Sequence, residues 1–156
     1  MIKINILAIG EIKEEYLKQG ISEYIKRISR FADIKIIEIK EHNPTSSNPS
    51  DISIALQKDA IDIKKKIKGY PICLDILGKN LDSVEFSNYL DKLSLKTSEI
   101  TIIIGASNGL SEEIKSQCKD KISFSKMTFP HQLMRLILLE QIYRAFTIIN
   151  NISYHK

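Results

Sequence analysis

The sequence predicts an α/β fold: an open, mostly parallel sheet with helices on both faces, built as one domain over residues 1–156. Three observations carry that expectation. Apolar segments of strand length alternate with segments of helical period along the whole chain, the pattern of strands joined by crossover helices. One strand candidate, Ile100-Thr101-Ile102-Ile103-Ile104, is apolar almost without a break, as strands covered on both faces are. A chain of 156 residues, 43% hydrophobic and 27% charged, is long enough to bury a core without disulfide or metal staples.

The elements follow in order. Residues 2–9 alternate apolar and polar and end at Gly10, a strand that opens the fold. Residues 11–30 place Ile12, Tyr16, Leu17, Ile21, Tyr24, Ile25 and Ile28 at helical spacing. Residues 34–40 are rich in β-branched side chains and read as a second strand. Residues 42–50, rich in Pro, Ser and Asn, read as a loop. Residues 51–67 form an amphipathic helix whose closing Lys64-Lys65-Lys66 suits the negative end of a helix dipole, with Gly69 stopping it. Residues 71–77 give an apolar strand that breaks at Gly78. Asp82-Ser83-Val84-Glu85 has the form of a capping box for a helix over 83–95. Strand 100–104 leads to Ser111, which with Glu112 and Glu113 starts a short helix. A short strand near 121–124, a loop and a long helix over 130–150 complete the series.

Composition narrows the function. No apolar run approaches the roughly 18 residues of a membrane span, and the first ten residues lack the organisation of a signal peptide. A cytoplasmic protein with no membrane partner is expected. Cys73 and Cys118 form no Cys-x-x-Cys pair, and His42, His131 and His155 lie far apart. The cysteines read as small apolar residues and no metal site is expected. Charge is unevenly placed. Residues 121–156 carry Lys121, Lys126, Arg135, Arg144 and Lys156 against Glu140 alone. Removing these from totals of 23 cations and 19 anions leaves 18 of each in residues 1–120, so the last segment holds the whole net charge of +4. A basic end on a neutral body fits a polyanionic partner.

Three loops after strands are candidates for chemistry, because ligands in open α/β sheets bind beyond the carboxyl ends of the strands. They are Leu74 to Lys79, Gly105 to Gly109, and Phe124 to His131. The second is a sharp glycine turn that would let backbone approach a ligand. The third is apolar where connectors are polar. Phe124, Met127 and Phe129 would wall a pocket suited to an adenine ring, or equally seat the loop on the core. The last helix is apolar nearly all round, so it needs cover on every side, the sheet on one and a second subunit on the other. Within it Glu140 and Arg144, four residues apart, are placed to pair. The tail Tyr154-His155-Lys156 combines an aromatic, an imidazole and a cation, which would suit an RNA base and phosphate, although tails commonly fray.

Three segments resemble one family. They are Phe124-Ser125-Lys126-Met127-Thr128-Phe129-Pro130-His131-Gln132-Leu133, Leu138-Leu139-Glu140-Gln141-Ile142-Tyr143-Arg144-Ala145-Phe146 and Tyr154-His155-Lys156. With the opening Ala8-Ile9-Gly10 segment and the Ile103 to Ser111 turn, they are similar to the ribosomal RNA large subunit methyltransferase H family of the SPOUT class along the full length. The resemblance implies a C-terminal trefoil knot, a homodimer and S-adenosylmethionine as methyl donor. It implies methylation of N3 of a pseudouridine in 23S ribosomal RNA, on the assembled ribosome. It assigns cofactor contacts to Leu74, Gly105, Phe124, Ser125, Lys126, Met127, Thr128 and Phe129. The tail and the last helix themselves offer His155, Tyr154 and Arg144 as the catalytic candidates, with His155 as the base for the N3 proton. Two positions depart from the family pattern: Ala106 stands where a second glycine is usual, and Asp75-Ile76-Leu77 is less polar than the usual loop. A flavodoxin-like nucleotide-binding module and a non-catalytic ribosome-binding factor are the competing readings.

Overall fold

Alternation along the strands divides the core in two. In the computed structural model, which describes residues 1–156, strands β1 (Lys3–Ile9), β2 (Asp33–Ile39), β3 (Tyr70–Asn80), β4 (Glu99–Ile104) and β5 (Asp120–Ser123) form one sheet in the order β2-β1-β4-β3-β5. Every pairing is parallel. Ile4, Ile6, Ile72, Ile100 and Ile102 belong to a large cluster with residues of helices α1 (Glu15–Ile28), α3 (Ser83–Ser94) and α5 (His131–Ile149). Their strand neighbours Leu7, Ile9, Cys73 and Ile103 belong to a smaller cluster with α2 (Pro49–Lys66) and α4 (Glu112–Gln117). Helices therefore cover both faces, and β1 and β4 are the most deeply buried strands, as the unbroken apolar run of 100–104 requires. No helix is long and apolar enough to cross a membrane.

Helix starts follow local chemistry. Asp82 and Glu85 form the complete capping box at α3, and the Ser111 side chain accepts from the Ile114 N–H at α4. Two starts differ from the sequence reading. Helix α1 begins at Glu15, not near residue 11, because Gly10 turns the chain at φ +97° and Ile12 is tucked in with its N–H donating to Glu38. Helix α2 begins at Pro49, inside the segment read as loop. Proline suits the first helical turn, where its missing N–H has no partner to lose.

Strand β3 does not end at Gly78. It pairs with β4 up to Leu74, then shifts register against β5 between Leu74 and Lys79 and resumes at Lys79 and Asn80. Gly78 permits this because the backbone of β5 passes alongside: a Cβ there would lie 2.7 Å from the Lys121 carbonyl carbon. The unpaired residues between bulge outward and bring Asp75 and Ile76 to the end of the sheet. Helix α5 packs on α1 and α3, with Leu138, Leu139, Ile142 and Ala145 fully buried. Leu133, Leu136, Ile137 and Ile148 are covered only in part.

Candidate active site

A cavity of about 580 Å³ opens at the register shift of β3 and beyond the carboxyl ends of β4 and β5, where the three candidate segments converge. The volume is that of a drug-sized or nucleoside-sized ligand. Leu74, Gly105, Phe124, Ser125, Met127, Thr128 and Phe129 all line it. Lys126 does not. The Met127 N–H bonds the Ser125 hydroxyl at 2.9 Å, a tight local turn, and Lys126 is left exposed with its side chain outside the cavity wall. Asp75 and Lys115 add a charged pair at one side, 3.7 Å apart.

Gly105 is a steric requirement: a Cβ there would meet Gly109 backbone at 2.7 Å. Gly109 takes φ +76° to fold the turn back, and its N–H bonds the Ala106 carbonyl at 2.9 Å. The methyl of Ala106 is accommodated, since this turn closes with the alanine in place. Phe124 is held edge-on to Phe86 at 5.0 Å between ring centres. The aromatic loop thus does both things the sequence left open: it seats on the core through Phe124 and walls the cavity.

His131 and Met134 bring the first turn of α5 to the cavity. Arg135, in the same turn, is a residue whose role the sequence reading missed. It is only 2% exposed. Its guanidinium donates to Glu38 at 2.6 Å and to the Gly10 carbonyl at 3.2 Å, tying α5 to the ends of β1 and β2. Glu38 also accepts from the Ile12 N–H. Cys73 and Cys118, read as isolated apolar residues, contact each other. The neighbouring Cys73 thiol holds the Cys118 pKa below its ordinary value despite burial. The same contact, with burial, pushes Cys73 up.

The tail is docked rather than frayed. The Tyr154 ring meets Tyr143 edge-on at 4.8 Å, and its hydroxyl donates to Glu140 at 3.2 Å. Arg144 bonds Glu140 from Nε at 3.0 Å, lies over the Tyr154 ring and contacts His155 Nδ1 at 3.2 Å. Glu140 raises the Arg144 pKa further, and burial raises that of Tyr154, so the phenol stays protonated. Arg144, Tyr154 and His155 are therefore brought together, but not beside their own chain's cavity. Ten residues of helix separate Met134 from Arg144, about 15 Å along the axis.

An all-parallel sheet with a nucleoside-sized cavity at its carboxyl edge, walled by an apolar loop and a glycine turn, defines an α/β domain of the open, doubly covered class. The chain belongs to the SPOUT methyltransferase family: the family description "Predicted SPOUT methyltransferase" matches residues 2–155. It is similar to the ribosomal RNA large subunit methyltransferase H of Fusobacterium nucleatum, at 46% identity covering 99% of this chain and 100% of the relative. A protein of the same name from Carboxydothermus hydrogenoformans is 47% identical, again over 99% of this chain and all of its own length. Among solved structures, a tRNA methyltransferase from Aquifex aeolicus superposes with a TM-score of 0.54 over 92% of this chain and 69% of that one, at 16% identity. That last likeness is one of fold.

Proposed function

We propose that this protein transfers a methyl group from S-adenosylmethionine to N3 of a pseudouridine in 23S ribosomal RNA. It works as a homodimer on the assembled ribosome in the cytoplasm. The observation that carries the reading is the end-to-end identity with chains named as ribosomal RNA large subunit methyltransferase H. The cavity supports it. Leu74, Phe124, Met127 and Phe129 suit a purine ring, while Ser125, Thr128 and the Asp75–Lys115 pair suit a polar amino-acid end. When bound, the cofactor supplies an electrophilic methyl group on a sulfonium.

The chain's own residues have two tasks. One is positioning, since an in-line displacement is governed by alignment; Gly105 and the 124–129 loop hold the donor, and Arg135 fixes the first turn of α5 against it. The other is to receive the N3 proton. His155 is assigned that role. Arginine only donates, so the contact with Arg144 makes His155 Nδ1 an acceptor. Nδ1 can take a proton from RNA once Arg144 turns to the substrate instead. Because the trio lies well along α5 from the cavity, the partner subunit supplies it to each donor site. The incompletely covered face of α5 fits this arrangement. We also assign the C-terminal segment the trefoil threading of its family. The placement of β5 beside β3, with backbones close enough to require Gly78, supports it.

The test is incubation with labelled S-adenosylmethionine and either intact ribosomes or naked ribosomal RNA, both lacking the modification. Label is expected on 23S RNA, in ribosomes above naked RNA. No label in either, with cofactor binding intact, would refute the function. His155→Ala is expected to slow single-turnover methylation about 100-fold or more at saturating ribosome. Full activity would remove His155 from the mechanism.

A further inference from the structure

The distribution of charge along the sequence and on the folded surface differ. Of the five cations beyond residue 120, Arg135 is buried against Glu38 and Arg144 is paired with Glu140. Lys126 stands exposed and unpaired on the loop of the donor cavity, and a group of free cations lies on the β3–β5 side. Lys79 at the end of β3, Lys92 on α3 and Lys121 on β5 surround a second cavity of about 400 Å³. All three are exposed, and none has a carboxylate within ion-pair distance.

The two carboxylates in that cavity are turned to internal donors. Asp120 accepts from the hydroxyls of Tyr70 and Tyr89 at 2.8 and 2.7 Å. Glu85 accepts from the Asp82 N–H at 3.0 Å in the capping box. One oxygen of each carboxylate carries these bonds, neither carboxylate lies within ion-pair distance of a lysine, and the three lysines outnumber the two carboxylates around the cavity. Exposed Lys119, over the Tyr70 ring at 5.0 Å, extends the cationic surface. Ile122 is a wall of both cavities, and Lys79 is three residues beyond Ile76 of the donor cavity, at most about 10 Å of chain.

We propose that Lys79, Lys92 and Lys121 form a track for the RNA phosphate backbone that leads to the donor cavity. The inference rests on the RNA substrate proposed above and names where that RNA runs. Its chemistry is that of positioning, not base reading. Lysine is a point charge with three rotatable donors, suited to phosphates irrespective of sequence. The three charges come from three separate elements, β3, α3 and β5, around one cavity that shares Ile122 with the donor cavity. A lysine at a sheet edge can also serve only to block edge pairing, and β5 is an edge strand; Lys92, on a helix, does not fit that role.

The test compares a Lys79→Gln, Lys92→Gln, Lys121→Gln triple variant with the unaltered protein and with a control triple, Lys58→Gln, Lys65→Gln, Lys66→Gln, on exposed α2 positions. Cofactor affinity is measured calorimetrically, RNA affinity across a salt series, and methylation against ribosome concentration. The track variant should bind S-adenosylmethionine normally and keep kcat within about twofold, with KM for ribosomes raised about tenfold. Its log–log salt slope for RNA should be shallower by about 2, from three lost phosphate contacts. Unchanged KM and slope overturn the track, as does equal loss in the control triple. A raised KM for ribosomes with unchanged affinity for naked RNA also overturns it, pointing to an acidic ribosomal protein. An unaltered protein that neither binds nor methylates RNA would refute the proposed function itself, a result separate from failure of the track alone.

Discussion

Arg135 shows what a sequence position hides. In the chain it counts as one cation of a basic end; in the fold it is inside, bonded to Glu38, which lies 97 residues away. No local pattern announces a partner at that separation. The pair is asymmetric, and the asymmetry is testable. Arg135 is 2% exposed with its Nε unpartnered, whereas the Glu38 side chain is 45% exposed. Removing Glu38 leaves a buried guanidinium with only one carbonyl, a loss of about 3–5 kcal/mol. Removing Arg135 leaves a carboxylate that water can reach. Glu38→Ala should therefore destabilise more than Arg135→Met in urea unfolding, and the reverse order would disprove the account. The cysteines make a second residue-scale point. Their contact is equally invisible in the sequence, since 45 positions separate them. Because Cys73 is fully enclosed while Cys118 is half-buried with its pKa lowered, iodoacetamide at mildly alkaline pH should alkylate Cys118 first. Peptide mapping that found Cys73 modified first would contradict that order of access.

At the scale of elements, the alternation of periods was enough to order every strand and helix, and the capping chemistry at Asp82 and Ser111 was legible because it is local. Boundaries were misread where a glycine or proline had a tertiary reason. Gly78 looks like a strand end, yet it is the residue that lets β3 continue beside β5. The candidate loops were legible because apolar and glycine-rich segments at strand ends are unusual. Lys126 was not separable from its neighbours by type, only by the turn that aims it outward. The role of Gly78 can be measured. A valine there must displace the Lys121 backbone, and with it the Ile122–Phe124 wall of the donor cavity. Gly78→Val should cost about 1–3 kcal/mol, the usual range for overpacking, and weaken S-adenosylmethionine binding in calorimetry. A variant with normal cofactor affinity would show that β5 does not set the wall.

For the whole molecule the decisive feature is a separation. The cavity proposed for the donor is at the start of α5, and Arg144, Tyr154 and His155 are near its end, docked against Glu140 and Tyr143. The helix between them is rigid, with Leu138, Leu139 and Ile142 locked in the core, so bending cannot close the gap. A second copy can, if it lies along the half-covered face of α5. Each dimer would then contain two composite sites, each with a donor cavity from one chain and a tail from the other. This is distinguishable from a site made within one chain. A chain truncated after Ile152 keeps its cavity and lacks the tail; a Gly105→Val chain keeps the tail and should lose donor binding, because any Cβ meets Gly109 backbone. Each homodimer should be inactive. Purified mixed dimers contain one intact cavity facing one intact tail, so up to about half of the normal methylation rate should return. If both chains acted alone, no mixture would recover activity. Leu136→Asp, placed on the partly covered face of α5, should give monomers that bind S-adenosylmethionine but do not methylate RNA. Because Leu136 also packs within about 3.1 Å of where a Gly20 Cβ would lie, circular dichroism must first show the variant folded. A folded monomer with full methylation would exclude the composite site.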